Sequence, residues 1–286
     1  MSTIEKASDK LISKIAALVE PTPTLTAPIE PLSNSKVVIG SPLNSGSSAK
    51  KDNSTTLFLN KERMRTLGLL LPDMGNTRLA EQYRKIKHPL LRRINAKSDD
   101  SRHNLIMITS SLEGEGKSYS SVNLAVSIAM ELDHTALLID IDAKKNSVSS
   151  LLDITPDTGL TNYLSSPDID ISDIIYATDI PKLKIIPAGA SALANAEAIT
   201  SEKMKLFLAE ISTRYPDRVI ILDTPPLMLS AIAKALAYMA DQVVMVVEAE
   251  KTSISIVEEA SQYLEKDSFA GFILNKTNLA SSSENL

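Results

Sequence analysis

Nine residues, Ser110-Ser111-Leu112-Glu113-Gly114-Glu115-Gly116-Lys117-Ser118, combine two glycines, a lysine and a hydroxyl in a pattern suited to holding phosphate. Backbone N–H groups of a tight loop and of a helix N-terminus converge on one anion there, and the helix dipole favours negative charge. Gly114 and Gly116 let the backbone approach phosphate oxygens, Lys117 reaches the β- and γ-phosphates, and the Ser118 hydroxyl ligates Mg²⁺. Ser111 stands where the full phosphate-loop pattern has its first glycine. The cofactor-contacting set is then Ser111, Gly114, Glu115, Gly116, Lys117, Ser118 and Tyr119. The competing reading is an ordinary Gly- and Ser-rich turn.

Three carboxylates complete this chemistry. Asp140 and Asp142 close the apolar run Leu137-Leu-Ile-Asp-Ile-Asp142, and Asp223 closes Ile220-Ile-Leu-Asp-Thr-Pro-Pro226. A carboxylate after a buried strand, on the sheet edge that carries a phosphate loop, is placed to hold Mg²⁺ directly or through water. Ser118, Asp140 and Asp223 form the expected metal set, and Lys117, Asp140, Asp142 and Asp223 the catalytic set. Mg²⁺ takes few carboxylates, so one aspartate is left to accept the proton of an attacking hydroxyl. The other reading of each aspartate is an N-cap or turn residue. Asn275, just past the last apolar run, offers its amide to an adenine edge, although Asn-Lys is also a common turn. Lys144 and Lys145 stand where they would screen phosphate charge. His88, His103 and His134 are scattered without metal-ligand spacing.

The elements that must position these groups are legible in the apolar pattern. Leu105–Thr109, Thr135–Asp140, Leu183–Pro187, Val219–Asp223, Gln242–Val247 and Phe269–Leu274 read as strands. Helical patterns alternate with them: Ser118 to Leu132, with Val122, Ala125, Val126, Ala129 and Leu132 on one face, then Ser201 to Ser212, Ser230 to Met239 and Ser253 to Leu264. Nearly continuous apolar strands separated by helices predict a mostly parallel sheet covered on both faces, an α/β fold of the P-loop NTPase type. Ligands in such sheets sit beyond the carboxyl ends of the strands, where the loop already lies.

Upstream, Asn60 to Leu71 has helical character and Pro72-Asp73-Met74-Gly75 reads as a turn. Arg78 to Arg93 is a basic helix with Glu81, Arg84 and Lys87 at three-residue spacing, and Pro89 is expected to end or kink it. Residues 2–19 form an amphipathic pattern with a Ser2/Glu5 capping box. Pro21, Pro23, Pro28, Pro31 and Pro42 among many Ser, Thr and Asn make residues 20–56 a flexible linker. The expected organisation is an N-terminal helix (1–19), that linker (20–56) and one P-loop domain (57–286).

Composition narrows the function. The 286 residues are 43% hydrophobic, enough for one substantial core. A net charge of −5 argues against a general nucleic-acid binder. Without cysteine there is no disulfide, thiolate metal site or cysteine nucleophile. No apolar run approaches the ~20 residues of a membrane span, and no signal-peptide core opens the chain. The expectation is a cytoplasmic protein that meets the membrane through a partner.

The ordered motifs resemble the bacterial tyrosine autokinases of exopolysaccharide loci, most of all the stand-alone type found with exosortase-linked clusters. The resemblance is carried by Ser110 to Ser118, Leu137 to Asp142, Ile221-Leu-Asp-Thr-Pro-Pro226, Glu248-Ala-Glu-Lys-Thr252 and Gly271-Phe-Ile-Leu-Asn275. It extends into Glu81-Gln-Tyr-Arg-Lys-Ile-Lys87 and loosely to Ile4-Glu-Lys-Ala7. It implies a P-loop domain that uses ATP and Mg²⁺ to phosphorylate tyrosine, with Asp140 and Asp142 as the second Walker motif and Asp223 as the Walker B aspartate. It also implies a homo-oligomeric ring packed through Glu81, Arg84 and Lys87, where Lys87 replaces the family's last arginine. The implied partner is the cytoplasmic tail of a membrane polysaccharide co-polymerase. The family's C-terminal tyrosine cluster has no counterpart after Tyr263; Tyr83 and Tyr119 are candidate acceptors or packing residues. Two rival readings are a non-kinase ATPase switch related to partition proteins and a nucleotide-binding adaptor. The first kind carries a lysine early in its loop, where this chain has Ser110-Ser111.

Overall fold

A computed structural model describes residues 56–96, 103–142, 147–156, 158–189, 196–215 and 217–277, all within the unit Ser54–Leu286. The expected N-terminal helix, nearly all of the linker, and Lys144 and Lys145 lie outside the described residues.

The described strands are β1 (Thr56–Leu57), β2 (Leu105–Ser110), β3 (Thr135–Asp140), β4 (Tyr176–Thr178), β5 (Leu183–Ile186), β6 (Arg218–Asp223), β7 (Gln242–Glu248) and β8 (Phe269–Asn275). They form one sheet in the order β1-β4-β5-β3-β6-β2-β7-β8. Every neighbouring pair is parallel except β4 with β5. The six apolar runs of the sequence all become strands. Short β1 and β4 were not visible as apolar runs, because Thr56–Leu57 and Tyr176-Ala177-Thr178 are too brief and mixed to show a period.

The pleat divides the core into two. Ile106 and Ile108 of β2 point to one face with Leu138 and Ile221, while Leu105 and Met107 point to the other with Leu137 and Ile220. The first face is covered by α1 (Lys61–Thr66), α2 (Arg78–Asn95) and α3 (Lys117–Ala129). Four short helices follow β3 in the chain: α4 (Val148–Leu152), α5 (Leu160–Ser165), α6 (Ile171–Ile174) and α7 (Ala196–Ile199). The second face is covered by α8 (Glu202–Arg214), α9 (Ala231–Ala237) and α10 (Ile254–Ser261). Ser201, Ser230 and Ser253 cap these three helices with their hydroxyls, each cap worth about 1 kcal/mol.

Three helices depart from expectation. α3 ends at Ala129, so Leu132 lies beyond it and is exposed rather than on its apolar face. The Asn60–Leu71 pattern yields only α1, capped by Asn60 Oδ1 on Arg63 N at 3.0 Å, because Gly68 takes φ +70° and turns Leu69, Leu70 and Leu71 into the core. Pro89 does not end α2, which runs on to Asn95. Pro89 itself is exposed, and Leu90 beyond it is buried in the first core face, so packing holds the helix past the missing N–H.

Candidate active site

The loop from Ser111 to Gly116 joins the carboxyl end of β2 to α3, which is buried nearly all round. Gly114 and Gly116 take φ +82° and +98°, left-handed values that suit glycine. A Cβ on Gly116 would stand 2.0 Å from Asn275 Nδ2, so this position admits no side chain without moving Asn275. The loop is fastened from three sides. Leu227 N donates to Ser110 O at 2.8 Å and Met228 N to Ser111 O at 3.3 Å, which ties it to the Thr-Pro-Pro turn after β6. Asn275 Nδ2 donates to Glu115 O at 2.9 Å, and Lys276 Nζ to Gly114 O at 2.7 Å. Ser111 is buried, with its hydroxyl 3.5 Å from Met245 Sδ.

Lys117 and Ser118 open α3 and face the strand-end carboxylates. Lys117 Nζ lies 2.6 Å from Asp142 Oδ2. Ser118 Oγ donates to Asp223 Oδ2 at 2.6 Å, and Ser121 Oγ to Asp223 Oδ1 at 2.9 Å. Asp140 is the register partner of Asp223 on the neighbouring strand. Its Oδ2 accepts from Ser149 N and Oγ, both at 3.2 Å, so it also serves the first turn of α4. Its buried Oδ1 accepts no hydrogen bond among the described residues.

Burial dominates the electrostatics of this pair. Asp140 is pushed up to about 7 by loss of solvent and, next, by the charge of Asp223, against the pull of Ser149 and Ser147. Asp223 is pushed up to about 6 by burial, against the hydroxyl of Ser118 and the charge of Lys117. Two adjoining carboxylates that resist ionising together fit a cation between or beside them. The orphaned Oδ1 of Asp140, the hydroxyl of Ser118 beside Asp223 and a loop fixed in left-handed turns match what Mg²⁺ and a polyphosphate need.

Asn275 and Tyr119 stand at the rim. A cavity of about 690 Å³ opens between α2 and the end of β8, lined among others by Arg78, Tyr83, Tyr119, Leu274, Asn275 and Lys276. Tyr119 donates to Gly68 O at 2.7 Å, and burial raises its phenol.

Glu81, Arg84 and Lys87 of α2 differ in their surroundings. Glu81 and Arg84 are half-exposed and pair with each other, and Arg84 Nη2 also reaches Gly75 O at 3.2 Å. Lys87 is 6% exposed, with Nζ 2.6 Å from both Ser127 O and Glu131 Oε1 of its own chain. At 3.6 residues per turn each three-residue step lags about 60°, so Lys87 sits about 120° round the helix from Glu81. The three residues do not share one exposed face.

Several supporting residues escaped the sequence reading. Ser121 is three positions after Ser118 on the same helix face, a spacing that signals it in retrospect. Ser149 carries no such mark; Glu248 and Thr252 bound a motif that carries the resemblance, but what they do at the loop depends on a turn that returns from elsewhere in the chain.

Comparison with known proteins agrees with the fold. The AAA domain family matches residues 103–268. The tyrosine-protein kinase CpsD of Streptococcus agalactiae is 35% identical over 189 residues, covering 65% of this chain and 81% of CpsD. The crystal structure of the VpsO kinase domain aligns with a TM-score of 0.57 at 31% identity, over 71% of this chain and 100% of that one. The septum site-determining protein MinD of Pyrococcus horikoshii, complexed with Mg-ADP, shares the fold at 22% identity and a TM-score of 0.51, over 62% of this chain and 71% of its own. Among the described residues no helix is long and apolar enough to cross a membrane.

Proposed function

The chain belongs to the bacterial tyrosine-protein kinases, and from that premise we propose that it transfers the γ-phosphoryl group of ATP to protein tyrosine and so regulates exopolysaccharide assembly. One observation supports this most: Lys117, Ser118, Asp140, Asp142 and Asp223, up to 106 positions apart in the chain, meet at one end of the sheet through direct contacts and strand register. Lys117 and the loop N–H groups would bind the phosphates. Ser118 and Asp223, with Asp140 nearby, would hold Mg²⁺, which when bound neutralises charge on the β- and γ-phosphates. The cavity beside Asn275 and Tyr119 is where the adenosine would lie.

Once the loop holds phosphate, Lys117 is drawn from Asp142 toward it. Asp142 and Asp140 are then the carboxylates available to accept the tyrosine hydroxyl proton. Glu81 and Arg84 remain exposed for contact with a second copy, while Lys87 serves its own subunit. The partner consistent with this reading is the cytoplasmic tail of a membrane polysaccharide co-polymerase, which would place the kinase at the inner face of the membrane. Incubation with γ-labelled ATP and Mg²⁺, with and without such a tail, is expected to label tyrosine. A protein that hydrolyses ATP yet labels no tyrosine in either case would be a switch ATPase instead.

A further inference from the structure

Glu115 is an anomaly at a site for anions: a carboxylate in the middle of the phosphate loop, 1% exposed. A buried carboxylate there opposes phosphate unless its charge is directed elsewhere. Its neighbours show where. Oε2 accepts from Leu112 N at 2.6 Å, within the loop itself. Oε1 accepts from Glu248 N at 3.4 Å, at the end of β7, and from the Thr252 hydroxyl in the turn that leads to α10. All three partners are donors, so an ionised carboxylate is the group that satisfies them together. The backbone carbonyl of Glu115 is held by Asn275, and that of Gly114 by Lys276, whose Nζ also lies 3.1 Å from Glu248 Oε2.

We propose that Glu115 is a positioning residue: its carboxylate clamps the phosphate loop to the β7–α10 turn through Thr252 and the Glu248 N–H, and presets the loop amides for the nucleotide without touching it. The clamp spans 137 residues of sequence between Glu115 and Thr252. It deepens the nucleotide-binding role given above and rests on it. Without the clamp the loop must be ordered by the ligand, and that ordering is subtracted from affinity.

Calorimetric titration of Mg-ADP into the full chain tests this. Wild-type protein that takes up no Mg-ADP would remove the nucleotide reading itself, clamp included. With wild-type binding in hand, Glu115→Gln is expected to weaken binding about tenfold, the effect of losing hydrogen bonds to a charged group. Thr252→Val removes one donor from the far side of the clamp and is expected to weaken binding several-fold. The double variant is expected to bind no more weakly than Glu115→Gln alone, since both act through one contact. Unchanged affinity in Glu115→Gln overturns the proposal. So does a Thr252→Val protein that binds like wild type, because Glu115 would then act by touching the nucleotide directly. Thr252→Val also carries the test by itself if Glu115→Gln does not fold.

Discussion

Asp140 and Asp223 are register partners on adjacent parallel strands, so two buried carboxylates are held side by side at the carboxyl end of the sheet. Both are raised from their ordinary value of 3.8, Asp140 to about 7 and Asp223 to about 6, by burial before any other cause. The folded protein therefore holds more protons than the unfolded chain across this interval. The stability linked to the pair is fully present below about pH 4 and is lost as pH rises through 6 and 7. Asp140→Asn removes one of the two charges at nearly constant shape. In metal-free buffer its stability relative to wild type is expected to grow from about pH 5 to pH 8, reaching a few kcal/mol. Urea midpoints of the two proteins across that range measure the difference, and a gap that does not change with pH would falsify the argument.

Lys117 and Asp142 predict an opposite pair of effects. Their ion pair has both side chains nearly buried, 12% and 5% exposed, so removing one partner leaves the other in a poorly solvated position. Lys117→Met is expected to abolish measurable nucleotide binding, because it removes the loop lysine that reaches the β- and γ-phosphates. Asp142→Asn is expected to retain nucleotide binding while lowering tyrosine labelling by 10²-fold or more, the usual scale for losing a general base. Filter binding with labelled ATP, run beside phosphotyrosine blotting, separates the two. Asp142→Asn with full labelling leaves Asp140 as the remaining proton acceptor.

What the sequence made legible follows from how local each signal is. The six long strands and the loop at Ser110 to Ser118 were readable because apolar runs and the glycine-lysine spacing are properties of contiguous residues. The strand-end aspartates were readable because a charge that ends a buried run has few other uses. Lys87 parts from Glu81 and Arg84 because a three-residue spacing drifts round a helix of 3.6 residues per turn. Glu115 reads as a nucleotide-contacting residue because it lies in the loop; its partners Glu248 and Thr252 come from the end of the neighbouring strand β7 and the turn after it, 133 and 137 positions on, and no local pattern links them. Asn275 stands just past the last apolar run, and its contact with Glu115 O depends on how the last strand ends beside the loop.

Gly116 predicts a further loss. Alanine there carries two penalties: a Cβ placed 2.0 Å from Asn275 Nδ2 and a left-handed φ of +98°. The strained backbone alone costs about 1 kcal/mol or more, and the displaced Asn275 releases Glu115 O. Gly116→Ala is expected to weaken Mg-ADP binding by at least tenfold. Adding Asn275→Ala relieves the contact while the backbone strain stays, so the double variant is expected to recover part of the stability and little of the affinity. Melting curves and titrations on the same samples check both halves.

Lys87 and Arg84, one helical turn apart on α2, predict different phenotypes from chemically similar changes. Lys87 is buried and joins α2 to the last turn of α3 through Ser127 O and Glu131. Glu131 is itself 39% exposed, so it regains water when its partner goes, and the cost of Lys87→Met falls to about 1–2 kcal/mol, well below that of a fully buried pair. That corresponds to a fall of several degrees in melting temperature for a domain of this size. Glu81 and Arg84 face solvent and hold mainly each other, an exposed pair worth under about 1 kcal/mol. The double variant Glu81→Ala with Arg84→Ala is therefore expected to melt within a degree or two of wild type. If that strip is the contact between copies, its molar mass by light scattering drops while Lys87→Met keeps its assembly. Should Lys87→Met dissociate the oligomer without loss of melting temperature, Lys87 would have to leave its internal pair on assembly, contrary to the role given it here.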